Sequence, residues 1–63
     1  MTTIDISYRA VTVLGLFSTI RARKAAAVLR KAGENEYSMS IINELVQAGA
    51  IRRTTPGWYI RAA

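Results

Sequence analysis

Apolar side chains near the start of the chain recur at intervals of three and four positions. This spacing places them on one face of a helix over about residues 5–17. Asp5 suits the position that caps the first turn of such a helix. Gly15 costs about 1 kcal/mol in a helix interior and indicates either a close helix contact or an early end. The stripe consists of Ile6, Ala10, Val13, Leu14 and Phe17, with Ile20 at its edge.

An alanine-rich segment follows, and its pattern predicts a second helix over about residues 19–32. Ser18 or Thr19 can cap its start, and Gly33 stands where a glycine commonly ends a helix. The expected buried face consists of Ala22, Ala25, Val28, Leu29 and Ala32. On a helix, the opposite face would carry Arg23, Lys24, Arg30 and Lys31.

A third helix is predicted over about residues 38–48, capped by Ser38 or Ser40 and ended by Gly49. Its expected buried residues are Ile41, Ile42, Leu45 and Ala48, with Val46 at the margin. Its outer row would be Ser40, Asn43 and Gln47, spaced i, i+3 and i+7. The row is therefore made of hydroxyl and amide groups rather than pairs of opposite charges.

The remaining segment, about residues 50–61, predicts a β-hairpin around a turn at Pro56 and Gly57. If Arg53 lies opposite Trp58, Ile51 faces Ile60. Since an isolated hairpin is not stable, an aromatic residue must pack on the helices together with the two isoleucines. We expect this residue to be Trp58, which would then pack on the helices rather than stack on bases. The role of Tyr59 is left open.

Composition narrows the function. The 63 residues allow one domain, and 51% hydrophobic content argues against a disordered chain. The absence of Cys and His excludes disulfides, Cys/His zinc sites and catalysis by thiolate or imidazole. The four acids are not paired, so we expect neither an enzyme nor a cofactor. The longest apolar run is far short of the ~20 residues that a membrane span needs, and a cytoplasmic protein without a membrane partner is expected.

Positive charge is the strongest compositional signal. Nine Lys and Arg against four Asp and Glu give a net charge of +5 and a pI near 10.5. A charge of this size on so small a domain favours an anionic partner. The alternative is that the charge serves only solubility.

The order helix, helix, short turn, helix, hairpin resembles that of winged helix-turn-helix DNA-binding domains. The resemblance is carried by "AAAVLRKAG" for the second helix, "SIINELVQAGAIRR" for the third helix entering the wing, and "GWYIR" for the returning strand. It implies a mainly α fold with a small β-hairpin, spanning 1–63, similar to phage or plasmid regulators and excisionases. The chain departs from that pattern in leaving no room for a strand between the first two helices. "TTIDIS", where Ile4 and Ile6 alternate, is another possible source of that strand.

The resemblance also implies where DNA would bind. The start of the third helix would enter the major groove, and Tyr37 or Met39 would touch a thymine methyl group. Glu44 argues against this placement, since a carboxylate near phosphates repels them unless it accepts from a cytosine amino group. The helix residues so assigned are Ser38, Met39, Ser40, Asn43 and Gln47; the alternative is an ordinary solvated face.

Basic residues would hold the phosphate backbone. The wing would contribute Arg52, Arg53, Thr54 and Thr55, although cations on an edge strand also prevent sheet-to-sheet pairing. The second helix would contribute Arg23, Lys24, Arg30 and Lys31, which are equally well explained as a solvated face.

The expected function is therefore sequence-specific binding of double-stranded DNA by a nucleoid-associated regulator of transcription or recombination. A single module buries little area, so a homodimer or cooperative neighbours on DNA are expected, with Val11 and Leu16 as contact residues. Two alternatives remain open. One is a protein-interaction module that docks an acidic partner; the other is an RNA-binding module in which Tyr59 takes part.

Overall fold

The computed structural model describes residues 6–35 and 38–62. These residues form three helices and one antiparallel sheet of three strands, in the spatial order β1-β3-β2. The fold is a small α+β arrangement, with a larger sheet than the single hairpin that the sequence predicts. In chain order the elements are α1 (Tyr8–Leu14), β1 (Arg23–Lys24), α2 (Ala25–Lys31), α3 (Met39–Gln47), β2 (Ile51–Thr55) and β3 (Trp58–Arg61).

Helix α1 is shorter than the predicted 5–17. It begins after Ser7, whose hydroxyl accepts a hydrogen bond from the backbone N–H of Ala10 at 3.2 Å. Gly15 ends it, so the early end is confirmed. The next two amides bond three residues back, Leu16 to Val13 at 3.0 Å, which tightens the chain into a turn. The proposed capping residue Asp5 lies outside the described residues.

The segment before α2 is the largest departure from the predicted structure. Ser18 does accept hydrogen bonds on its hydroxyl, from the amides of Ile20 and Arg21 at 3.1 and 3.2 Å, but this turn does not continue as a helix. Instead Arg23 and Lys24 form β1 and pair with β3, and α2 begins only at Ala25. The expectation that no strand fits between the first two helices was wrong, because α1 ends at Leu14 and α2 begins only at Ala25. The proposed N-terminal strand lies largely outside the described residues.

Both predicted glycine stops are confirmed. Gly33 and Gly49 have φ angles of 82° and 74°, the left-handed region that other residues rarely adopt. After α3, the amide of Gly49 bonds to Val46 and that of Ala50 to Leu45, at 3.0 and 2.9 Å. These two bonds satisfy carbonyls that the helix end leaves without partners. Helix α3 therefore matches the predicted 38–48 to within a residue at each end.

The hairpin has a tighter register than the sequence predicts. Arg53 lies opposite Tyr59, and Thr55 lies opposite Trp58, with a bulge between Arg53 and Thr55. Pro56 and Gly57 make the loop, and the φ of 81° at Gly57 is that of the third residue of a type II turn. Because side chains alternate along a strand, a shift of one residue exchanges the two faces of the sheet.

This register decides which aromatic residue packs on the helices. Tyr59 is only 8% exposed and meets Phe17 edge to face, with ring centroids 6.3 Å apart. Trp58 is 43% exposed, so its expected role as the packing residue was wrong. Ile51 is buried as predicted, whereas Ile20 is almost fully exposed. The core consists of Ala10, Val13, Phe17, Ala25, Val28, Leu29, Ile41, Ile42, Leu45, Ala50, Ile51 and Tyr59.

Candidate nucleic-acid interface

Helix α3 has a sharply divided surface. Ile41, Ile42 and Leu45 are buried in the core. Ser40, Asn43 and Gln47 are exposed and share one face, as their spacing predicts. Met39 is also exposed at the start of the helix. The chain therefore presents a row of hydroxyl and amide groups on a helix whose other side is anchored in the core.

Ser38 does not belong to this exposed row. It is 8% exposed, and its hydroxyl lies 3.4 Å from Asn35 Oδ1 and 3.5 Å from Glu34 Oε2. It makes no side-chain capping bond to α3. Ser38 thus tightens the turn that precedes the helix, and its hydroxyl is directed into the protein. Tyr37 lies outside the described residues.

The carboxylate of Glu44 has a structural partner. Ser7 donates both its backbone N–H and its hydroxyl to this carboxylate, the hydroxyl at 3.2 Å. Ser7 also caps α1, so the contact ties the start of that helix to the middle of α3. The side chain of Glu44 is therefore engaged toward α1 rather than standing free among Asn43 and Gln47.

Glu34 is held by an arginine. Arg9 donates from Nε to Oε1 at 2.8 Å and from Nη2 to Oε2 at 2.7 Å, a two-point contact between α1 and the turn that follows α2. The hydrogen bond from Arg9 lowers the pKa of the Glu34 carboxyl, and the same bond raises the pKa of Arg9. Both carboxylates of the described segments, Glu34 and Glu44, thus have donors.

The other basic side chains have no carboxylate partner within the described segments. All eight are exposed, and among the described residues Arg9 and Glu34 form the only ion pair. These eight cations make the surface strongly positive. These side chains are Arg21, Arg23, Lys24, Arg30, Lys31, Arg52, Arg53 and Arg61.

The sheet gathers cations from distant parts of the chain. Arg23 of β1 and Arg53 of β2 both lie opposite Tyr59, one on each side of the central strand. On the other face, Lys24 lies opposite the exposed Trp58. Residues paired in this way have Cβ atoms about 5 Å apart. The sheet thus brings the β1 cations beside those of the hairpin.

This placement corrects the assignment of Arg23 and Lys24 to the second helix. They belong to β1, and the amide of Ala25, directly after them, donates to the carbonyl of Gly57 at 2.9 Å. These two residues therefore pair with the hairpin instead of extending the helix. Arg30 and Lys31 do lie in the last turn of α2, where they were predicted.

The remaining predicted residues stay on the hairpin. Arg52, Arg53, Thr54 and Thr55 are exposed on β2, and the Thr54 hydroxyl lies 3.4 Å from the carbonyl oxygen of Trp58. The exposure of Trp58 was missed at the sequence level. The Pro-Gly loop alone could not have signalled it, because an unbroken register from Thr55 and Trp58 would place Trp58 on the same face as Ile51. The bulge between Arg53 and Thr55 reverses this.

Comparison of the chain with protein-family models, with curated proteins and with solved structures found no match. Within the described segments, no helix has the length and apolarity that crossing a membrane requires. The case for a function therefore depends on the residues and their geometry.

Proposed function

We propose that this chain is a winged helix-turn-helix protein that binds double-stranded DNA in a sequence-specific manner and regulates transcription or recombination. The observation that carries the proposal is the exposed amide and hydroxyl row of α3, on a chain whose sheet displays cations that have no ion-pair partner among the described residues. The order α1-β1-α2-α3-β2-β3, with β1 on β3, supports the winged-helix interpretation. In this interpretation, β1 takes the place of the small strand that the sequence-level resemblance lacked.

In this proposal α3 lies in the major groove. A helix with its side chains is about 10–12 Å across, which matches the major groove width of about 12 Å. Asn43 and Gln47 present amides that match the donor and acceptor pair of adenine, and Ser40 contacts several kinds of base edge. Met39 supplies an apolar contact to a thymine methyl group.

The sheet holds the backbone. Arg52, Arg53, Thr54 and Thr55 contact phosphates or the adjacent minor groove, and Arg23 reaches the same strand of DNA from β1. Arg30 and Lys31 contribute long-range attraction. Such contacts fix the position of the protein, while the α3 row supplies the sequence preference. The protein acts in the cytoplasm on the nucleoid and reaches useful affinity as a dimer or through cooperative neighbours.

The test is titration of duplex DNA at several salt concentrations. Each phosphate contact contributes about 0.9 to the slope of log affinity against log salt. Arg52→Ala combined with Arg53→Ala should therefore lower the magnitude of that slope by up to about 2. Asn43→Ala should leave the salt slope unchanged, but it should reduce the difference in affinity between a selected site and random duplex. Circular dichroism verifies that each variant is folded.

Two results would contradict the proposal. Should the double arginine variant keep both the affinity and the salt slope of the parent, the sheet does not contact phosphate. A preference for single-stranded or structured RNA over duplex DNA would favour the RNA-binding alternative instead.

A further inference from the structure

A groove lies between the end of α1, β1 and one face of α2. It has a volume of about 140 Å³. Four of its lining residues recur at the spacing of a single helix face, starting from the residue that precedes α2. We call it the α2 groove; its lining residues are Leu16, Arg23, Lys24, Ala27, Val28 and Lys31.

The α2 groove combines an apolar floor with a basic rim. Val28 is buried at its base, and Leu16 and Ala27 complete the apolar lining. Lys24 and Lys31 stand at opposite ends, about 10 Å apart along the helix axis, and Arg23 stands beside Lys24. Within the part of the chain that the structure describes, no carboxylate lines the groove. The groove therefore complements a group that is apolar in the middle and negatively charged on both sides.

The volume sets the size of the apolar group. A cavity of about 150 Å³ lined by aliphatic side chains takes up one benzene-sized molecule. The α2 groove thus has room for a single Leu or Phe side chain. A phosphate backbone could contact the basic rim, but it has no apolar group to fill the floor. The groove is therefore poorly suited to DNA.

We propose that the α2 groove docks an acidic segment of a partner protein, seating one Leu or Phe side chain between flanking carboxylates. The argument is charge complementarity around an apolar floor of matching size. The groove does not include the α3 row, but it shares Arg23 and Lys31 with the proposed DNA contacts, so DNA and the acidic segment would compete for these two side chains.

A pair of labelled synthetic peptides tests the inference on the full chain. The probe is fluorescein-Asp-Glu-Leu-Phe-Glu-Asp, and its control carries Ala-Ala in place of Leu-Phe at the same charge. Fluorescence anisotropy should show that the control binds about tenfold more weakly or worse, as loss of an anchoring side chain implies. Equal binding of the two peptides would overturn the inference, because only general charge attraction would remain.

Two matched variants locate the site. Ala26 and Ala27 are both exposed in the first turn of α2, where an acidic residue suits the helix dipole, but only Ala27 lines the groove. Ala27→Glu and Ala26→Glu therefore change the net charge equally and should both fold. We expect Ala27→Glu to weaken the Leu-Phe peptide about tenfold or more and Ala26→Glu to weaken it by no more than about twofold.

Equal weakening by the two variants would also overturn the inference. Duplex DNA titrated against the same proteins separates this outcome from the proposed function. The salt slope of DNA affinity depends on Arg52 and Arg53. The difference in peptide affinity between Ala27→Glu and Ala26→Glu depends on the α2 groove.

Discussion

Replacement of the two adjacent aromatics, Tyr59 and Trp58, tests the register of the hairpin. Tyr59 is 92% removed from solvent and contacts Phe17 edge to face, whereas Trp58 is 43% exposed. Truncation of a buried aromatic to Ala costs about 3 kcal/mol or more, including the lost ring contact. Truncation of the half-exposed Trp58 should cost about 1 kcal/mol. The smaller aromatic is thus expected to matter more than the larger one.

A domain of this length has a total stability of only about 3–9 kcal/mol, so Tyr59→Ala removes a large fraction of it. A difference of about 2 kcal/mol between the variants corresponds to a separation of about 10 °C in Tm. Urea unfolding measures the difference in free energy, and thermal unfolding measures the difference in Tm. Both are followed by far-ultraviolet circular dichroism, which reports the backbone and can be used for the variant without the tryptophan. If Trp58→Ala is as destabilising as Tyr59→Ala, the bulge after Arg53 and the register derived from it are wrong.

The remaining predictions concern single contacts. The bond from Arg9 lowers the pKa of Glu34, so this pair contributes stability above the ordinary carboxyl pKa of 4.5 and loses it as pH falls through the folded pKa. Urea midpoints of the parent and Glu34→Gln should therefore differ near pH 6 and converge near pH 3; parallel curves would refute the linkage. Gly49→Ala forces a left-handed φ on alanine and should cost about 1 kcal/mol, while Gly15→Ala, at an ordinary helical φ of −63°, should be neutral or stabilising by about 0.5 kcal/mol. Chemical denaturation of both variants tests this, and a smaller loss at Gly49 than at Gly15 would contradict it.

Features that depend on neighbouring residues could be derived from the sequence. The apolar spacing predicts α3 to within a residue at each end, because a helix satisfies its backbone groups within its own segment. Gly33 and Gly49 mark helix ends because the left-handed backbone they adopt is a local requirement. Pro56 and Gly57 locate the hairpin turn for the same reason. The exposed positions of Ser40, Asn43 and Gln47 follow from the helical period alone.

Features that depend on a distant strand could not be derived from the sequence. Arg23 and Lys24 continue a helical pattern, yet they form β1 because β3 offers hydrogen bonds from more than thirty residues along the chain. No periodicity in a two-residue strand can signal such pairing. The partners of Glu34 and Glu44 likewise lie on α1, so a carboxylate that looks unpaired in the sequence proves to be held by Arg9 or Ser7.

By itself, the sequence determined the number of helices, the glycine stops of α2 and α3, the position of the turn and the excess of positive charge. Only the tertiary structure decided that Tyr59 is buried and Trp58 exposed, because a bulge of one residue exchanges the faces of a strand. It also decided that Ser38 is directed inward and that the α2 groove exists. The division has one physical reason: turns and helices close over a few residues, whereas strand register, ion pairs and grooves arise from segments that meet only when the chain folds.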